Sequence, residues 1–231
     1  MKFGIITAMQ EEFDEIEKIM QEKQKNEILG VNFIEGKIEN KECILVQCGV
    51  GKVNAARTTQ IMVDNFEIES IFNLGSAGAI NNELNIGDVI IGKNVYQHDF
   101  DITAFNHNKG YVPGIGDKIE CDKNLVNKFE NIIKNIKEKK YQIKIGTVAT
   151  GDIFLTEEWM KNKIRIKFDA DIVDMECGAI AQVAYLDNIP FVVVRSISDV
   201  PNGDNAHTFD ENLKLASERA SEILKEYLKQ E

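Results

Sequence analysis

Short apolar runs of strand length alternate with stretches of helical period along the whole chain, and this alternation limits the possible folds more than any other feature. Residues 3–7 read as a buried strand. Residues 11–25 read as a helix, because Phe13, Ile16, Ile19 and Met20 recur at its spacing. A hairpin is expected from 33–38 to 43–47, turning at Glu39-Asn40-Lys41. A helix over 53–65, a strand over 70–74 ending at Gly75, and a strand over 88–96 follow. After a long irregular stretch, 97–118, the pattern resumes with a helix over 124–139, a strand over 143–150, a helix over 157–168 and a short strand at 172–173. A helix after Met175, a strand over 191–196 and a last helix from Asp210 onward complete it. Strands interleaved with helices predict an α/β fold with a mostly parallel sheet. No linker, repeat or low-complexity tract divides the chain, so one domain over 1–231 is expected. At 231 residues it buries roughly 70–75% of its unfolded surface without disulfide support.

The formal net charge of -11 leaves no basic excess to displace counterions from phosphates, which disfavours a nucleic-acid or anionic-membrane partner. Cys43, Cys48, Cys121 and Cys177 form no C-x-x-C and read as reduced core thiols. The apolar start runs at once into Gln10-Glu11-Glu12, too short for a signal-peptide core, and no run approaches a membrane span. A cytoplasmic protein is expected. Gly49-Val50-Gly51-Lys52 resembles the start of a phosphate loop, but Val46 and Val53 stand where that motif needs glycine and a hydroxyl residue. Leu74, before Gly75-Ser76, defeats a nucleophile elbow. His98, His107 and His207 lack metal-ligand spacing, so neither metal nor cofactor is expected.

In an open α/β sheet, ligands sit beyond the carboxyl ends of the strands. Residues expected there are Met9, Glu11 and Glu12, then Gly75-Ser76-Ala77-Gly78, then Gly151-Asp152 and Phe154. Asp174-Met175-Glu176, Arg195, Ser198 and Asp199 join them. Each has a plainer reading. Glu11 and Glu12 suit a helix N-terminus, the glycines a tight turn, and Asp199 a turn before Pro201-Asn202-Gly203. Together they place several carboxylates and one arginine on one rim. That suits glycosyl transfer, in which one carboxylic acid protonates the leaving group and a carboxylate activates water. The pattern leaves the base and the sugar open.

At these residues the chain resembles the bacterial 5'-methylthioadenosine/S-adenosylhomocysteine nucleosidases of the purine nucleoside phosphorylase superfamily. The likeness runs from Gly4-Ile5-Ile6 and Ala8-Met9-x-Glu11-Glu12 to the final helix. Its most specific pieces are Gly49-x-Gly51-Lys52-Val53-Asn54-Ala55-Ala56, Asn73-x-Gly75-Ser76-Ala77-Gly78 and His98-Asp99-x-Asp101-x-Thr103-Ala104-Phe105. Gly151-Asp152-x-Phe154, Met175-Glu176 and Pro190 through Arg195 to Ser198-Asp199 add to it. The resemblance implies a nucleoside phosphorylase-like fold, a central mixed twisted sheet flanked by helices. It implies a hydrolase that cleaves the N-glycosidic bond of 5'-methylthioadenosine, S-adenosylhomocysteine and 5'-deoxyadenosine, in nucleoside catabolism or methionine salvage. Asp199, held by Ser198, matches the general acid at adenine N7. Glu12 matches the base that activates water, near Ser76 and Arg195, with Ala77 and Gly78 beside them in the substrate-binding set. Met175 and Glu176 match the ribose-binding pair, Phe154 the aromatic stacked on adenine, and the backbone of Leu155 the reader of the base edge. Met9, Val50 and Phe209 match the apolar wall around the 5' substituent. Ile102, Phe105 and Pro113 match positions that complete that wall from the neighbouring subunit of a homodimer.

The chain departs from the family pattern at Asp174, where glutamate is usual, and at Phe100, Asn106 and His107 in the long loop. Aminofutalosine therefore stays among the substrates to be tested. A phosphorolytic relative would need cations for phosphate, yet the chain has only Arg57, Arg165, Arg195 and Arg219, and Glu11 and Glu12 would repel the anion. A nucleoside sensor without turnover is the other rival, and the intact acid and base candidates weigh against it.

Overall fold

The computed structural model describes residues 2–135, 141–201 and 205–230. Its elements are β1 (Lys2–Thr7), α1 (Gln10–Ile19), β2 (Gln21–Ile28), β3 (Val31–Ile38), β4 (Lys41–Gln47), α2 (Lys52–Asn65), β5 (Ile68–Ala79) and β6 (Val89–Gln97). There follow β7 (Ile119–Glu120), α3 (Lys123–Asn135), β8 (Ile143–Thr150), α4 (Glu158–Phe168), β9 (Ile172–Asp174), α5 (Cys177–Leu186), β10 (Phe191–Asp199) and α6 (Asn205–Leu228). The expected helix end at 136–139, and Asn202-Gly203 of the expected turn, lie outside the described residues. No helix among the described residues is long and apolar enough to cross a membrane.

Among the described residues ten strands form one sheet. β1 runs parallel to β4 and β5, and β5 parallel to β10. β6 with β8, and β8 with β9, are also parallel. The pairs β2–β3, β3–β4, β5–β9, β6–β7 and β6–β10 are antiparallel. The sheet is thus mixed and flanked by helices, and the mostly parallel sheet expected from periodicity is corrected. Alternation of element types does not encode the direction in which a neighbouring strand returns. The pairings β5–β10, β10–β6, β6–β8, β8–β9 and β9–β5 close five strands into a ring, which removes free edges on that side.

The central strands are apolar because they are covered on both faces. Phe72 on β5 packs its ring against Phe3, Phe129 and Tyr227, with centroids 5.7, 6.3 and 5.0 Å apart. α6 seats on β10 and β5 and carries α1 and α3, while α2 and α5 pack as a second pair with α5 on β6 and β8.

Several elements differ from expectation. The first helix stops at Ile19, and Met20 turns to an extended conformation with φ -78° and ψ 142°. Residues 21–25 are then strand, not helix, because β2 is an edge strand, paired among the described residues only to β3 and solvated along almost its whole length. A strand wet on both faces carries no apolar period to read. β5 runs through Gly75-Ser76-Ala77-Gly78, so that segment is strand rather than a turn, and β10 extends to Asp199. The hairpin turn at Glu39-Asn40 is as expected, with both residues at positive φ, 48° and 64°.

Candidate active site

The site is assembled at the carboxyl ends of β1, β5, β9 and β10. β1 delivers Ala8 and Met9 to the start of α1, and Glu12 sits in that helix's first turn. One oxygen of Glu12 does the capping work: Oε2 accepts the Ala8 N–H at 2.9 Å and the Met9 N–H at 3.1 Å. The other reaches across to β5, where Oε1 accepts the Ser76 N–H at 2.8 Å and the Ser76 hydroxyl at 3.0 Å. One carboxylate therefore both caps its own helix and reaches across to β5. Glycine at 75 makes this possible. A Cβ there would lie 2.2 Å from Arg195 Nη1 and 2.5 Å from Glu12 Oε1.

Arg195 is fully buried beneath the rim. Its Nη2 donates to Asn73 Oδ1 at 2.9 Å and to Asp174 Oδ2 at 2.8 Å, and lies 3.8 Å from Glu176 Oε2. Asp174 also accepts the Thr150 hydroxyl at 2.5 Å and the backbone N–H groups of Glu176 and Cys177 at 3.2 and 2.8 Å. Burial alone would raise its pKa, but Arg195 and the bonds from Cys177 and Thr150 outweigh it and hold Asp174 below the ordinary carboxylate range. Glu176 is treated oppositely. Burial, then the Asp174 charge, push it up to about 7, against Arg195 and the Gly51 N–H that Oε1 accepts at 2.9 Å. Gly51 needs its φ of 95° to present that N–H at the head of α2.

Asp199 ends β10 opposite Gly78, where the register with β5 slips between Ile197 and Asp199. The irregularity re-aims the side chain inward. Asp199 is 3% exposed, and burial raises its pKa in spite of a 3.0 Å hydrogen bond from the Ser198 hydroxyl and the nearby Lys161. Lys161, on α4, is 1% exposed, and its Nζ stands 3.8 Å from Asp199 Oδ2.

One cavity of about 360 Å³ gathers these groups. Met9, Glu12, Val50, Ser76, Ala77, Gly78, Phe154, Asp174, Met175, Glu176, Asp199 and Phe209 all line it. Phe154 and Phe209 meet edge to face at its mouth, their centroids 5.7 Å apart. Arg195 and Ser198 do not line the cavity. They lie behind it and hold Asp174 and Asp199 respectively. The Leu155 side chain packs into a small apolar cluster with Ile80, Ile164 and Phe168, away from the cavity. Ile102, Phe105 and Pro113 do not reach this chain's cavity, and Phe105 is 74% exposed. Sequence reasoning missed Ala8 and Val173 on the lining, Thr150 and Asn73 beneath it, and Lys161. Ala8 and Val173 adjoin residues already singled out. Lys161 carried no signal, since lysines abound in its helix.

A phosphorylase-superfamily model matches residues 2–229. The 5'-methylthioadenosine/S-adenosylhomocysteine nucleosidase of Bacillus cytotoxicus is 36% identical over 231 residues, covering 100% of this chain and 99% of the relative. The solved nucleosidase of that name from Neisseria meningitidis, in complex with methylthio-immucillin-A, superposes with a TM-score of 0.95 at 29% identity, covering 100% of this chain and 99% of the other. The futalosine hydrolase of Helicobacter pylori superposes with a TM-score of 0.93 at 29% identity, covering 100% and 98%.

Proposed function

Because the chain belongs to the phosphorylase superfamily and, within it, to the 5'-methylthioadenosine/S-adenosylhomocysteine nucleosidases, we propose that this enzyme hydrolyses the N-glycosidic bond of those two nucleosides, and of 5'-deoxyadenosine, to adenine and the 5-substituted ribose. The observation that carries the reading is the cavity itself. It sets a buried Asp199, whose pKa burial raises, and a carboxylate fixed by four donors, Glu12, on one apolar-walled space.

Protonated Asp199 gives its proton to N7 of the adenine. The electron pair of the C1'–N9 bond passes into the purine, and positive charge develops on the ribose. Glu12 takes a proton from a water whose oxygen bonds to C1', and the acidic wall stabilises the cationic transition state. Glu176 holds the ribose hydroxyls beside Met175. Phe154 stacks on the base, whose edge the Leu155 backbone reads, and Met9, Val50 and Phe209 surround the 5' substituent. The low arginine content near the rim supports water over phosphate as the nucleophile. The protein acts as a cytoplasmic homodimer, in which Ile102, Phe105 and Pro113 of one subunit close the 5' pocket of the other.

The test is release of free adenine from methylthioadenosine. Asp199→Asn and Glu12→Gln should each lose about 10²–10⁴-fold in kcat while still binding substrate. Near-normal turnover by Asp199→Asn would remove Asp199 as the acid, and binding without adenine release by the wild type would make the protein a sensor. The likeness to a futalosine hydrolase gives a second substrate class a hearing. Competition among methylthioadenosine, S-adenosylhomocysteine, 5'-deoxyadenosine and aminofutalosine ranks them, and preference for the last would displace the first two.

A further inference from the structure

α4 buries Lys161, Ile164 and Phe168, which is one inward stripe at helical spacing. Two of the three belong to the apolar cluster with Leu155 and Ile80, and the third is a lysine at a core position. A buried ammonium group is costly unless it is paired. Among the described residues Lys161 Nζ has no hydrogen-bond partner, and the group nearest it in charge is Asp199, 3.8 Å away at Oδ2. The same carboxylate takes a hydrogen bond from Ser198 at its other oxygen, and Gly78 leaves no side chain between it and β5. Lys161 therefore faces the atom that the reaction must protonate and deprotonate.

We propose that Lys161 is a positioning residue for the hydrolysis: its buried ammonium group sets the acid strength of Asp199 and balances the carboxylate left when the proton passes to the base. This rests on Asp199 being the general acid. In the step, the Asp199 O–H proton moves to N7, the C1'–N9 bond pair enters the purine, and the Asp199 carboxylate remains beside the ammonium. No proton leaves Lys161. A carboxyl enclosed as Asp199 is would otherwise be a weak acid, because its anion has lost water. Burial lowers the pKa of Lys161 and the Asp199 charge opposes that, so the two groups favour each other's charged forms. Among the described residues Ser198 is the other group bonded to Asp199, while Glu12, Asp174 and Glu176 line the same cavity.

The test is the pH profile of kcat/KM for adenine release. Activity needs protonated Asp199, so it falls as pH rises through the pKa of that group. In Lys161→Met the alkaline limb should move up by about 1–3 pH units, and plateau kcat should fall roughly tenfold because the acid is weaker. Lys161→Arg keeps the charge and should hold the limb at or below its wild-type position. A purely structural lysine would lower activity without moving the limb, so an unmoved limb in Lys161→Met overturns the inference. Where Lys161→Met yields no folded protein, Lys161→Arg decides, and an upward limb in that variant overturns it. Asp199→Asn separates the two layers. If it stays active, the general-acid reading fails. If it is inactive while Lys161→Met keeps the wild-type profile, only the role of Lys161 fails.

Discussion

Asp174 shows how much one methylene decides. The family pattern carries glutamate at this position, yet in the fold both oxygens of the shorter side chain are occupied, by Thr150, Arg195 and two backbone N–H groups. Asp174→Glu should therefore not restore anything. The added methylene crowds a buried side chain whose oxygens are already bonded, and we expect a loss of about 1–3 kcal/mol, read by denaturant unfolding; an unchanged midpoint would refute this. Glu176 gives a pH prediction. Its pKa is raised from 4.5 to about 7, so the fold favours the neutral form. That contribution is complete below the ordinary value and is lost as pH rises through about 7. Glu176→Gln stays neutral and keeps it. The variant should melt higher than the wild type at pH 8 by an amount equivalent to about 2–3 kcal/mol, with little difference at pH 5, while losing turnover. A Tm difference independent of pH would count against it. The carboxylates were legible in sequence because they cluster just beyond strand ends. The buried network that sorts them was not, since Thr150, Asn73 and Lys161 look ordinary until folding brings them beneath the rim.

At the scale of elements, β5 and its crossing with β10 hold the site together. Gly75 is the point at which Glu12 from α1 and Arg195 from β10 both approach the strand. Gly75→Ala should separate them and cost at least tenfold in kcat, since an ångström of displacement matters to catalysis. Circular dichroism with single-turnover kinetics would check this, and full activity would show that the crossing tolerates a methyl group. Elements buried on both faces, such as β1 and β10, were plain in sequence because their apolar runs have no other use. The turn of positive φ at Glu39-Asn40 was marked by its asparagine. What stayed hidden was β2, an edge strand whose polar faces imitate the tail of the preceding helix. The change happens at Met20, which is buried and extended with neither glycine nor proline to announce it. The extent of β5 was hidden for a related reason: small residues that suggest a turn are here the thin end of a strand, kept small so that Asp199 and Glu12 fit against it.

Over the whole molecule, several large apolar side chains lie bare. Val53 at the head of α2 is 80% exposed, Phe105 74%, Trp159 63% and Ile166 85%. Single exposed hydrophobics need no explanation, but Val53, on the first turn of α2, suits a covered face. Val53 sits two residues from Gly51, whose N–H holds Glu176, so a partner seated on α2 would also steady the ribose side of the pocket. The homodimer proposed above, sharing its 5' pocket, would account for both features. Two variants test this. Val53→Glu places a charge where a partner would bury it, and should give a sedimentation mass of one chain where the proposed wild-type dimer would give two, with a rise in KM. Phe105→Ala should leave the mass of two chains unchanged and raise KM most for long 5' substituents. If Val53→Glu sediments as the wild type does, α2 is not in the interface. If Phe105→Ala raises KM equally for methylthioadenosine and S-adenosylhomocysteine, the loop does not touch the 5' group, and the pocket is closed by a single chain.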